Sequence, residues 1–429
     1  MVAFEREITE KIKKKLDSHE ILVLLGSRQV GKTTILKTIT EKLERDKKNC
    51  LFIDLDIETN LELFSSYKNV IDFISLKGFD PQTDRLFLFL DEFQRVKNSG
   101  QTMKNIHDHH PNIKIIATGS SSIEINKAIS ESMSGRKIIF RVYPLSFREF
   151  LLFNREKAVL EFRDSWKVTD RKSKVFFEKI YEIFISYLVF GGYPEVTLEK
   201  NLENKGLKLN DILSSYLRKD IKENLNIKDT IIYKNVLELL STYTSNLVNI
   251  NSIARDLGIY HRNASSVIDT AQETYFISLL RPFFKSRRAE IVKNPKIYFE
   301  DTGMRNFLIK NMSLELRLRL DLGQLVENYV FNEIKRKLDV FSEIKYWRNK
   351  NQTEIDFLIF KNQAVLVLEV KSGSFSNIPK ALSNFCQKEN LKKAVVFNKD
   401  FSGVKSKNGT EFFFIPYVFA GRVLEIVGF

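Results

Sequence analysis

Short apolar runs alternate with longer polar stretches over the first 150 residues of the chain. The runs cover residues 21–25, 51–55, 86–90, 113–117 and 138–142, and the stretches between them are long enough for helices. Buried strands joined by crossover helices produce this rhythm, which is typical of a parallel sheet. The pattern therefore predicts an α/β domain over residues 1–150.

The pattern changes twice after residue 150. Apolar residues recur at helical spacing to about Asn249, interrupted by a turn at 191–194. Strands return in the last quarter of the chain, where we expect them at 344–347, 355–359, 364–370 and 394–397, with helices at 323–338 and 377–389. We therefore divide the remainder into a helical region at 151–235, a third segment at 236–310 and a second α/β domain at 311–429.

Composition indicates a globular protein without export or membrane insertion. The chain has 429 residues, of which 43% are hydrophobic and 28% charged, as in ordinary globular proteins. Its longest apolar runs reach about five residues, whereas a membrane-spanning helix needs about 20, and its N-terminus lacks the apolar core of a secretory signal. Cys50 and Cys386 form no CxxC pair, which argues against a disulfide framework or a structural zinc site. We expect a cytoplasmic protein.

Net charge adds a suggestion about partners. Sixty-eight Lys and Arg residues against 54 Asp and Glu give a formal charge of +14, which favours polyanions such as nucleic acid. A genome-wide bias towards lysine gives the same excess without any binding face. Charge alone therefore does not establish DNA as a partner.

The first apolar run leads directly into a phosphate-binding motif. It is followed by G-x4-G-K-T and then by a helical pattern, which is the setting that a P-loop requires. Glycines let backbone N–H groups surround phosphate oxygens at a helix N-terminus, Lys32 adds a cation, and the Thr33 hydroxyl ligates Mg²⁺. The sequence therefore predicts an ATP site formed by Gly26, Ser27, Arg28, Gln29, Val30, Gly31, Lys32, Thr33 and Thr34.

A second acidic element supports the ATP site. Leu86–Leu90 has the pattern of a buried strand and ends in Asp91 and Glu92, about 60 residues after the P-loop. One carboxylate at this place holds the Mg²⁺ shell and the other polarises water. We expect Asp91 to contact the metal, and we count Asp91, Glu92 and Lys32 as catalytic residues.

The next strand makes the chain resemble the AAA+ branch of P-loop ATPases. Ile113–Ala117 ends in the polar run 118–122. In that family a polar residue at this strand end senses the γ-phosphate, and Thr118 or Ser120 matches the position; a Ser-rich helix cap is the alternative. The resemblance also offers Arg136 as an arginine finger acting on a neighbouring subunit of a homo-oligomer. An ordinary surface arginine is the alternative there.

Four further motifs make the resemblance more specific. Together with the P-loop they look like prokaryotic AAA+ ATPases whose C-terminal half carries a widely distributed domain of unknown function. The resemblance covers nearly the whole chain, and it implies ATPase activity more firmly than any purpose for it. The motifs are Tyr143–Leu151, Phe190–Pro194, Tyr298–Gly303 and Leu325–Val330.

The segment at 236–310 has the layout of a helix-turn-helix. The sequence predicts a short Ser-capped helix, a turn at Gly258 and a second amphipathic helix from about Asn263. Residues 277–284 and 297–299 then predict a hairpin wing, so the segment resembles the winged-helix modules that follow AAA+ domains. A DNA-binding module of this kind would use His261, Arg262, Arg287 and Arg288. Protein packing is the alternative use of the same fold.

Three histidines within residues 107–110 raise the question of a metal site. Their spacing is not the i, i+4 pattern of a helical zinc pair, and they precede Pro111. We expect a solvated connecting loop at this position.

The last domain resembles the core of restriction-endonuclease-like folds, which use the PD-(D/E)xK constellation. Glu369 and Lys371 share one strand face because they are two residues apart, and a hairpin brings Asp356 beside them. Asp356 and Glu369 would ligate Mg²⁺ or Mn²⁺ while Lys371 orients or deprotonates water. Glu327 matches the extra acidic ligand of several such nucleases. We therefore expect catalytic roles for Asp356, Glu369 and Lys371.

The match departs from the nuclease pattern in places. Ile355 stands where the motif has proline, and Glu354 shares the strand face of Asp356. A charged hairpin on any surface, or an inactive descendant of the fold used for binding, is the alternative. Because Glu369 interrupts an apolar run, its burial requires a nearby cation, and a divalent metal would supply one.

These observations lead to one functional prediction and its rivals. We predict a Mg²⁺-dependent ATP-binding and ATP-hydrolysing AAA+ protein that acts on DNA. Its parts would be an AAA+ core at 1–150, a helical lid at 151–235, a winged helix at 236–310 and a restriction-endonuclease-like α/β domain at 311–429. One rival is an ATP-driven switch or scaffold whose nuclease-like domain is inactive and binds DNA or a protein. Another is an ATPase that acts on proteins.

Overall fold

The chain forms two compact units. The computed structural model describes residues 5–96, 98–120, 133–170, 173–218, 230–284 and 286–429. The first unit is drawn from 1–143, 214–230 and 269–275, and the second from 144–213, 231–268 and 276–429. The four-part division made from the sequence stays a prediction. Among the described residues, no helix is both long and apolar enough to cross a lipid bilayer.

A five-stranded sheet forms the centre of the first unit. Its strands are β1 (Ile21–Gly26), β2 (Asn49–Asp54), β3 (Leu86–Asp91), β4 (Ile113–Ser120) and β5 (Lys137–Arg141). Their order is β2-β3-β4-β1-β5, and all neighbouring strands are parallel. All five predicted strands and the α/β fold of this part are therefore confirmed.

Burial explains why these segments form inner strands. Every residue of β1 and β3 is buried, as expected where helices cover both faces of a parallel sheet. Side chains such as Val23, Leu88 and Ile115 belong to one apolar core. The helices described in this unit are α1 (Glu7–Lys13), α2 (Lys32–Arg45), α3 (Glu58–Leu63), α4 (Tyr67–Leu76) and α5 (Ser99–His109).

The strand register brings the polar motif residues to one edge of the sheet. Gly26 at the end of β1 lies beside Ser120 at the end of β4, and Asp91 lies beside Asp54. The carboxyl ends of parallel strands are the usual place for ligands in open α/β sheets. This edge therefore carries the nucleotide motifs.

Helices dominate the start of the second unit, as predicted. Ser146 begins α6 with a capping box, in which its hydroxyl accepts from the Glu149 N–H and the Glu149 carboxylate accepts from the Ser146 N–H. The Pro194 turn separates α8 from α9. The helices are α6 (Phe147–Phe153), α7 (Lys157–Ser165), α8 (Lys174–Phe190), α9 (Pro194–Leu198), α10 (Leu202–Ser215) and α11 (Thr230–Thr242).

Two of the family motifs interlock around the buried Asp301 carboxylate. Its oxygens accept from the Gly192 N–H at 2.7 Å and the Met304 N–H at 2.8 Å. Gly191 has φ +77°, and a Cβ there would lie 2.1 Å from the Asp301 carboxylate. A Cβ at Gly303 would lie 2.0 Å from the Phe190 carbonyl oxygen. These glycines are therefore required for close packing.

The other two family motifs contact the same structure. The Leu145 N–H donates to the Gly192 carbonyl at 2.7 Å. Asn328 accepts from the Phe299 N–H and donates to the Phe299 carbonyl, each at 2.8 Å. The four motifs thus hold the second unit together, although they lie far apart in the sequence.

The helix-turn-helix layout is present, with changes in detail. It consists of α12 (Ile250–Asp256), a turn at Gly258 and α13 (His261–Glu273). Asn249 caps α12 by accepting from two backbone N–H groups, so the predicted Ser cap is wrong. Strands β6 (Ile277–Leu280) and β7 (Lys296–Phe299) pair antiparallel as predicted. Between them lies a helix, α14 (Arg287–Val292), instead of a continuous hairpin wing.

A mixed sheet of six strands closes the second unit. Its members are β8 (Ser342–Arg348), β9 (Glu354–Lys361), β10 (Ala364–Val370), β11 (Lys393–Asn398), β12 (Gly403–Lys407) and β13 (Thr410–Pro416). Their order is β12-β13-β11-β10-β9-β8. The first four strands were expected, and the last two were missed. The remaining helices are α15 (Thr302–Leu308), α16 (Leu322–Lys335), α17 (Lys380–Lys388) and α18 (Val423–Val427).

Candidate functional sites

The predicted phosphate loop connects β1 to α2 in the first unit. Residues 27–30 form the turn, Gly31 caps the helix at φ +93°, and Thr34 lies in its first turn. A Cβ at Gly26 would lie 2.2 Å from the Val142 carbonyl oxygen, so only glycine fits. Gln29 also has a positive φ, of +60°. The loop therefore presents backbone N–H groups at a helix N-terminus, where anions bind.

Lys32 is held inside this loop. Its side chain is buried, and its Nζ donates to the Gly26 carbonyl at 3.0 Å and to the Ser27 carbonyl at 2.9 Å. The Ser27 hydroxyl is buried and has no hydrogen-bond partner among the described residues. The ammonium is therefore in place to exchange loop carbonyls for phosphate oxygens.

Two threonines lie close to the carboxylate of Asp91. The Thr118 hydroxyl donates to its Oδ1, and the Thr33 hydroxyl lies near enough to lower its pKa. Burial raises the pKa of Asp91 above its usual range, while the two hydroxyls act in the opposite direction. Thr33 and Asp91 are thus neighbours, as a shared magnesium shell requires.

Glu92 follows in a left-handed conformation with φ +54°. Its N–H donates to the Thr118 hydroxyl at 3.1 Å, and its carboxylate accepts from the Gln94 amide. A non-glycine residue in this region is uncommon and is a feature of functional sites.

The structure separates the two candidates for the γ-phosphate sensor. Thr118 is fully buried and bound to Asp91 and Glu92. Ser120 lies beside Gly26 at the start of the phosphate loop, although its side chain is outside the described part of the chain. The proposed Ser-rich cap at 121–122 also lies outside the described residues. Which of the two residues senses the γ-phosphate stays a prediction.

Arg6 is a site residue that the sequence did not indicate. It is buried, and it donates to the Val30 carbonyl and to the Tyr143 carbonyl, each at 2.8 Å. It thereby ties the phosphate loop to the chain that follows β5. No spacing motif marks Arg6, because its partners are far away in the sequence.

Arg136 and the histidines form a separate cluster. Arg136 Nε donates to Asp108 at 2.7 Å, and this pair holds the pKa of Asp108 at about 2. Arg136 precedes β5 at the sheet edge opposite the phosphate loop, since its carbonyl accepts from the Ile21 N–H. His107 and His109 lie in α5, so the expected solvated loop is wrong. The finger role of Arg136 stays a prediction.

The residues predicted to face DNA fall into two groups. His261 and Arg262 are exposed at the start of α13, where a recognition helix contacts DNA. Arg287 and Arg288 lie on α14 and are both exposed. Arg287 in addition pairs with Glu290 at 3.0 Å and Glu343 at 3.6 Å.

The structure brings together all the acidic residues predicted for the last domain. Glu327 lies on α16, Glu354 and Asp356 on β9, and Glu369 on β10. Asp356 Oδ2 accepts from the Val370 N–H at 2.7 Å, and Lys371 Nζ donates to Glu369 Oε1 at 2.7 Å. Burial and the neighbouring Asp356 carboxylate together raise the pKa of Glu369 to about 7, against the opposing effect of Lys371.

Lys296 lies among these carboxylates and was not expected there. Its Nζ is 3.0 Å from Glu327 Oε1, 2.5 Å from Glu354 Oε1 and 4.0 Å from Asp356 Oδ1. Glu327 Oε1 also accepts from the Tyr298 hydroxyl at 2.6 Å. Glu327 therefore has Lys296 and Tyr298 as partners in place of the metal that we expected.

The carboxylate cluster fits a divalent metal only in part. Over the described ranges, no group of three or more His, Cys, Asp or Glu side chains is arranged to hold a metal ion. Two carboxylate oxygens nevertheless suit a metal ion. Glu369 Oε2 is buried and lacks a hydrogen-bond partner among the described residues. Asp356 Oδ1 lies 4.0 Å from Lys296 Nζ. Carboxylate oxygens are the usual ligands of Mg²⁺ and Mn²⁺.

Comparison with known families agrees with the geometry of the first site. A family described as "AAA domain" matches residues 18–151. Over these residues the chain is similar to AAA domains, as its parallel sheet and phosphate-loop motif would suggest. Two domains of unknown function match residues 181–315 (DUF8612) and 322–418 (DUF4143). A domain of unknown function in the C-terminal half was expected from the motifs.

Similar proteins occur in archaea and bacteria. An uncharacterized protein of Methanocaldococcus jannaschii is 28% identical over 367 residues, covering 84% of this chain and 76% of that protein. An uncharacterized protein of Haemophilus influenzae is 25% identical over 420 residues, covering 93% and 94%. The Walker-type ATPase of Pyrococcus abyssi is 15% identical over 71% of this chain and 95% of its own, with a TM-score of 0.45.

Proposed function

We propose that this AAA protein hydrolyses ATP with Mg²⁺ and acts on DNA. The observation that supports the ATPase most is the meeting of Lys32, Asp91 and Glu92 at one edge of the parallel sheet. Thr33 and Asp91 lie close to each other and would hold Mg²⁺, which neutralises charge on the phosphates when bound. The nucleotide therefore has a complete set of protein groups.

Each protein group has a defined task in hydrolysis. Lys32 moves from the Gly26 and Ser27 carbonyls to the β- and γ-phosphates, while N–H groups at the start of α2 bind phosphate oxygens. Glu92 exchanges the Gln94 amide for the attacking water, which it orients. The bond between the γ-phosphorus and the bridging oxygen breaks, and ADP leaves.

Replacing the loop lysine tests this site. Lys32→Ala should abolish phosphate release and weaken ATP binding, because it removes the buried ammonium that the Gly26 and Ser27 carbonyls hold inside the loop. Lys37→Ala, an exposed position on the same helix, is the matched control and should behave as wild type. Unchanged hydrolysis in Lys32→Ala would remove the ATPase assignment.

For the last domain we infer metal-dependent hydrolysis of phosphodiesters. Asp356 and Glu369 would hold Mg²⁺ or Mn²⁺, which stabilises charge on the scissile phosphate when bound. Lys371, 2.7 Å from Glu369, would orient the water that attacks phosphorus as the P–O bond to the leaving oxygen breaks. The unpartnered Glu369 Oε2 supports this inference.

The test incubates the purified protein with assorted DNA forms while ATP and divalent metal are varied independently. Asp356→Ala and Glu369→Ala should lose both metal and cleavage, whereas Lys371→Ala should keep the metal and lose cleavage. Glu411→Ala, an exposed carboxylate on β13, serves as the control. The hydrolytic role is excluded if wild type cuts no DNA under any combination.

DNA binding through α13 is tested by salt dependence. Each lost phosphate contact should reduce the slope of log K against log salt by about 1. We expect this for Arg262→Ala and for Arg288→Ala. Arg287→Ala is the matched control, since Arg287 already pairs with two carboxylates. Equal slopes for all four proteins would indicate that the helix-turn-helix serves packing.

One observation favours a second candidate function. Lys296 supplies the cation that the partly buried Glu327 and Glu354 need, so a metal is not required to explain their partial burial. The last domain would then bind DNA or a protein without cutting, and ATP would drive a switch or scaffold. Binding of DNA without cleavage or metal uptake in the assays above would identify this case.

A further inference from the structure

Lys296 lies among the carboxylates of the proposed hydrolytic site. We propose that Lys296 is an internal counter-ion that keeps divalent metal out of the carboxylate cluster until it is withdrawn. The inference rests on the proposed metal-dependent function of the last domain. Metal binding would then depend on displacement of Lys296. The strand that carries Lys296 is hydrogen-bonded to the segment just before the helix-turn-helix.

Burial and distance establish Lys296 as the resident cation. Its side chain is 3% exposed, and three carboxylates lie within 4.0 Å of its Nζ. Burial alone lowers the pKa of Lys296, but the three carboxylates outweigh it and keep the ammonium charged. A charged group in this position cannot be replaced by solvent without leaving buried carboxylates unpaired.

A divalent metal and the Lys296 ammonium compete for the negative charge of the same carboxylates. The cluster holds four carboxylates, and Asp356 is shared between Lys296 and the proposed metal position. Two like charges that share one carboxylate repel each other strongly in a partly buried site. If Lys296 stays in place, it weakens metal binding at Asp356 and Glu369. Tight metal binding therefore requires Lys296 to move away.

The backbone of Lys296 is attached to the helix-turn-helix. Lys296 forms a β-bridge with Leu247, and the Pro295 carbonyl accepts from the Val248 N–H at 2.9 Å. The next residue, Asn249, caps α12. A ligand that shifts the start of α12 would therefore pull on the strand that carries the ammonium.

Metal titration of the full-length chain tests the proposal. Mn²⁺ binding is measured by calorimetry in an Asp91→Asn background, so that the nucleotide site does not contribute. Lys296→Met should bind Mn²⁺ at least about tenfold more tightly than the parent. Lys345→Met is the matched control, because Lys345 is similarly buried and paired with Glu290 at 2.8 Å; it should leave Mn²⁺ affinity unchanged.

A second variant distinguishes the effect of removing the ammonium from the effect of changing the net charge of the cluster. It also replaces Lys296→Met in the test if Lys296→Met does not fold. Lys296→Gln combined with Glu354→Gln removes the ammonium without changing the net charge, and it should also bind Mn²⁺ more tightly than the parent. Adding Asp356→Ala to either variant should abolish the gain.

The outcomes distinguish this inference from the proposed function. If the parent binds Mn²⁺ through Asp356 and neither Lys296 variant binds it more tightly, the counter-ion role is wrong and the hydrolytic site stands. If no variant binds Mn²⁺, both proposals are overturned. If Lys296→Met binds Mn²⁺ more tightly but the charge-neutral double variant does not, the effect comes from net charge. The claim that the ammonium itself occupies the metal position is then wrong.

Discussion

At the scale of single residues, Thr118 contacts both carboxylate residues that we propose as catalytic. Its hydroxyl donates to Asp91 and accepts from the Glu92 N–H at 3.1 Å. One side chain thus contacts the proposed metal ligand and the turn that carries the residue proposed to orient water. The sequence could only suggest a phosphate sensor here.

Thr118→Val keeps the shape of this side chain and removes both hydrogen bonds. Hydrogen bonds to charged groups contribute about 1.5–3 kcal/mol, so we expect ATP hydrolysis to fall about tenfold or more. Thr118→Ser retains the hydroxyl and should keep most of the activity. Steady-state phosphate release measures both; equal rates for the Val variant and wild type would contradict the positioning role.

The residues that sequence reasoning could find are those whose partners lie near them in the chain. Lys32 and Thr33 follow from one short motif, and Glu369 and Lys371 from strand periodicity. Arg6 and Lys296 could not be found in this way, because their partners are brought close only by folding. Lys296 in particular lies outside the segment that carries the carboxylates.

At the scale of elements, the interlocked glycines predict a sharp difference between two substitutions. Gly303→Ala would place a Cβ 2.0 Å from the Phe190 carbonyl oxygen, whereas Gly323 on α16 has nothing within 4 Å of the added atom. We expect Gly303→Ala to cost more than about 3 kcal/mol of unfolding free energy. Gly323→Ala should instead stabilise by about 0.5–1 kcal/mol.

Urea unfolding of the two alanine variants measures this difference. Similar stabilities for Gly303→Ala and wild type would show that the backbones around Asp301 are not packed as described.

Asp301 gives the same element a pH dependence. Burial raises its pKa to about 6, against a usual value of 3.8. The folded state therefore holds this proton more tightly than the unfolded state, so its contribution to stability is present at low pH and is lost as pH rises through about 6. Between pH 7 and pH 5, wild type should gain about 1 kcal/mol relative to Asp301→Asn.

Unfolding of both proteins at the two pH values checks the sign of this effect. Because other groups titrate equally in both proteins, only the difference between them is informative. A difference that is constant with pH would mean that Asp301 is not protonated on folding.

Elements with a clear period were predictable, and those without one were not. β1 to β5 are short apolar runs in a parallel sheet, and four strands of the last domain have similar patterns. β12 is polar and largely exposed, so no alternation marks it. The run at 412–415 in β13 is apolar and could have been recognised. α14 has six residues, too few for a helical period to show.

At the scale of the whole molecule, the nucleotide site and the carboxylate cluster belong to different units. Segments 214–230 and 269–275 belong to the first unit, although the second begins at residue 144. The chain therefore passes between the units several times, unlike domains arranged in series. The four linear segments drawn from pattern changes in the sequence stay a prediction beside this division into units.

The ATPase assignment is the central claim, and Glu92→Gln tests it most directly. The substitution keeps the size and hydrogen bonding of the side chain but removes the carboxylate that orients water. ATP affinity and phosphate release are measured on the same preparation, with Glu41→Gln on α2 as the control. We predict ATP affinity within about twofold of wild type and phosphate release slowed about 100-fold or more. Phosphate release at the wild-type rate in Glu92→Gln would contradict the account.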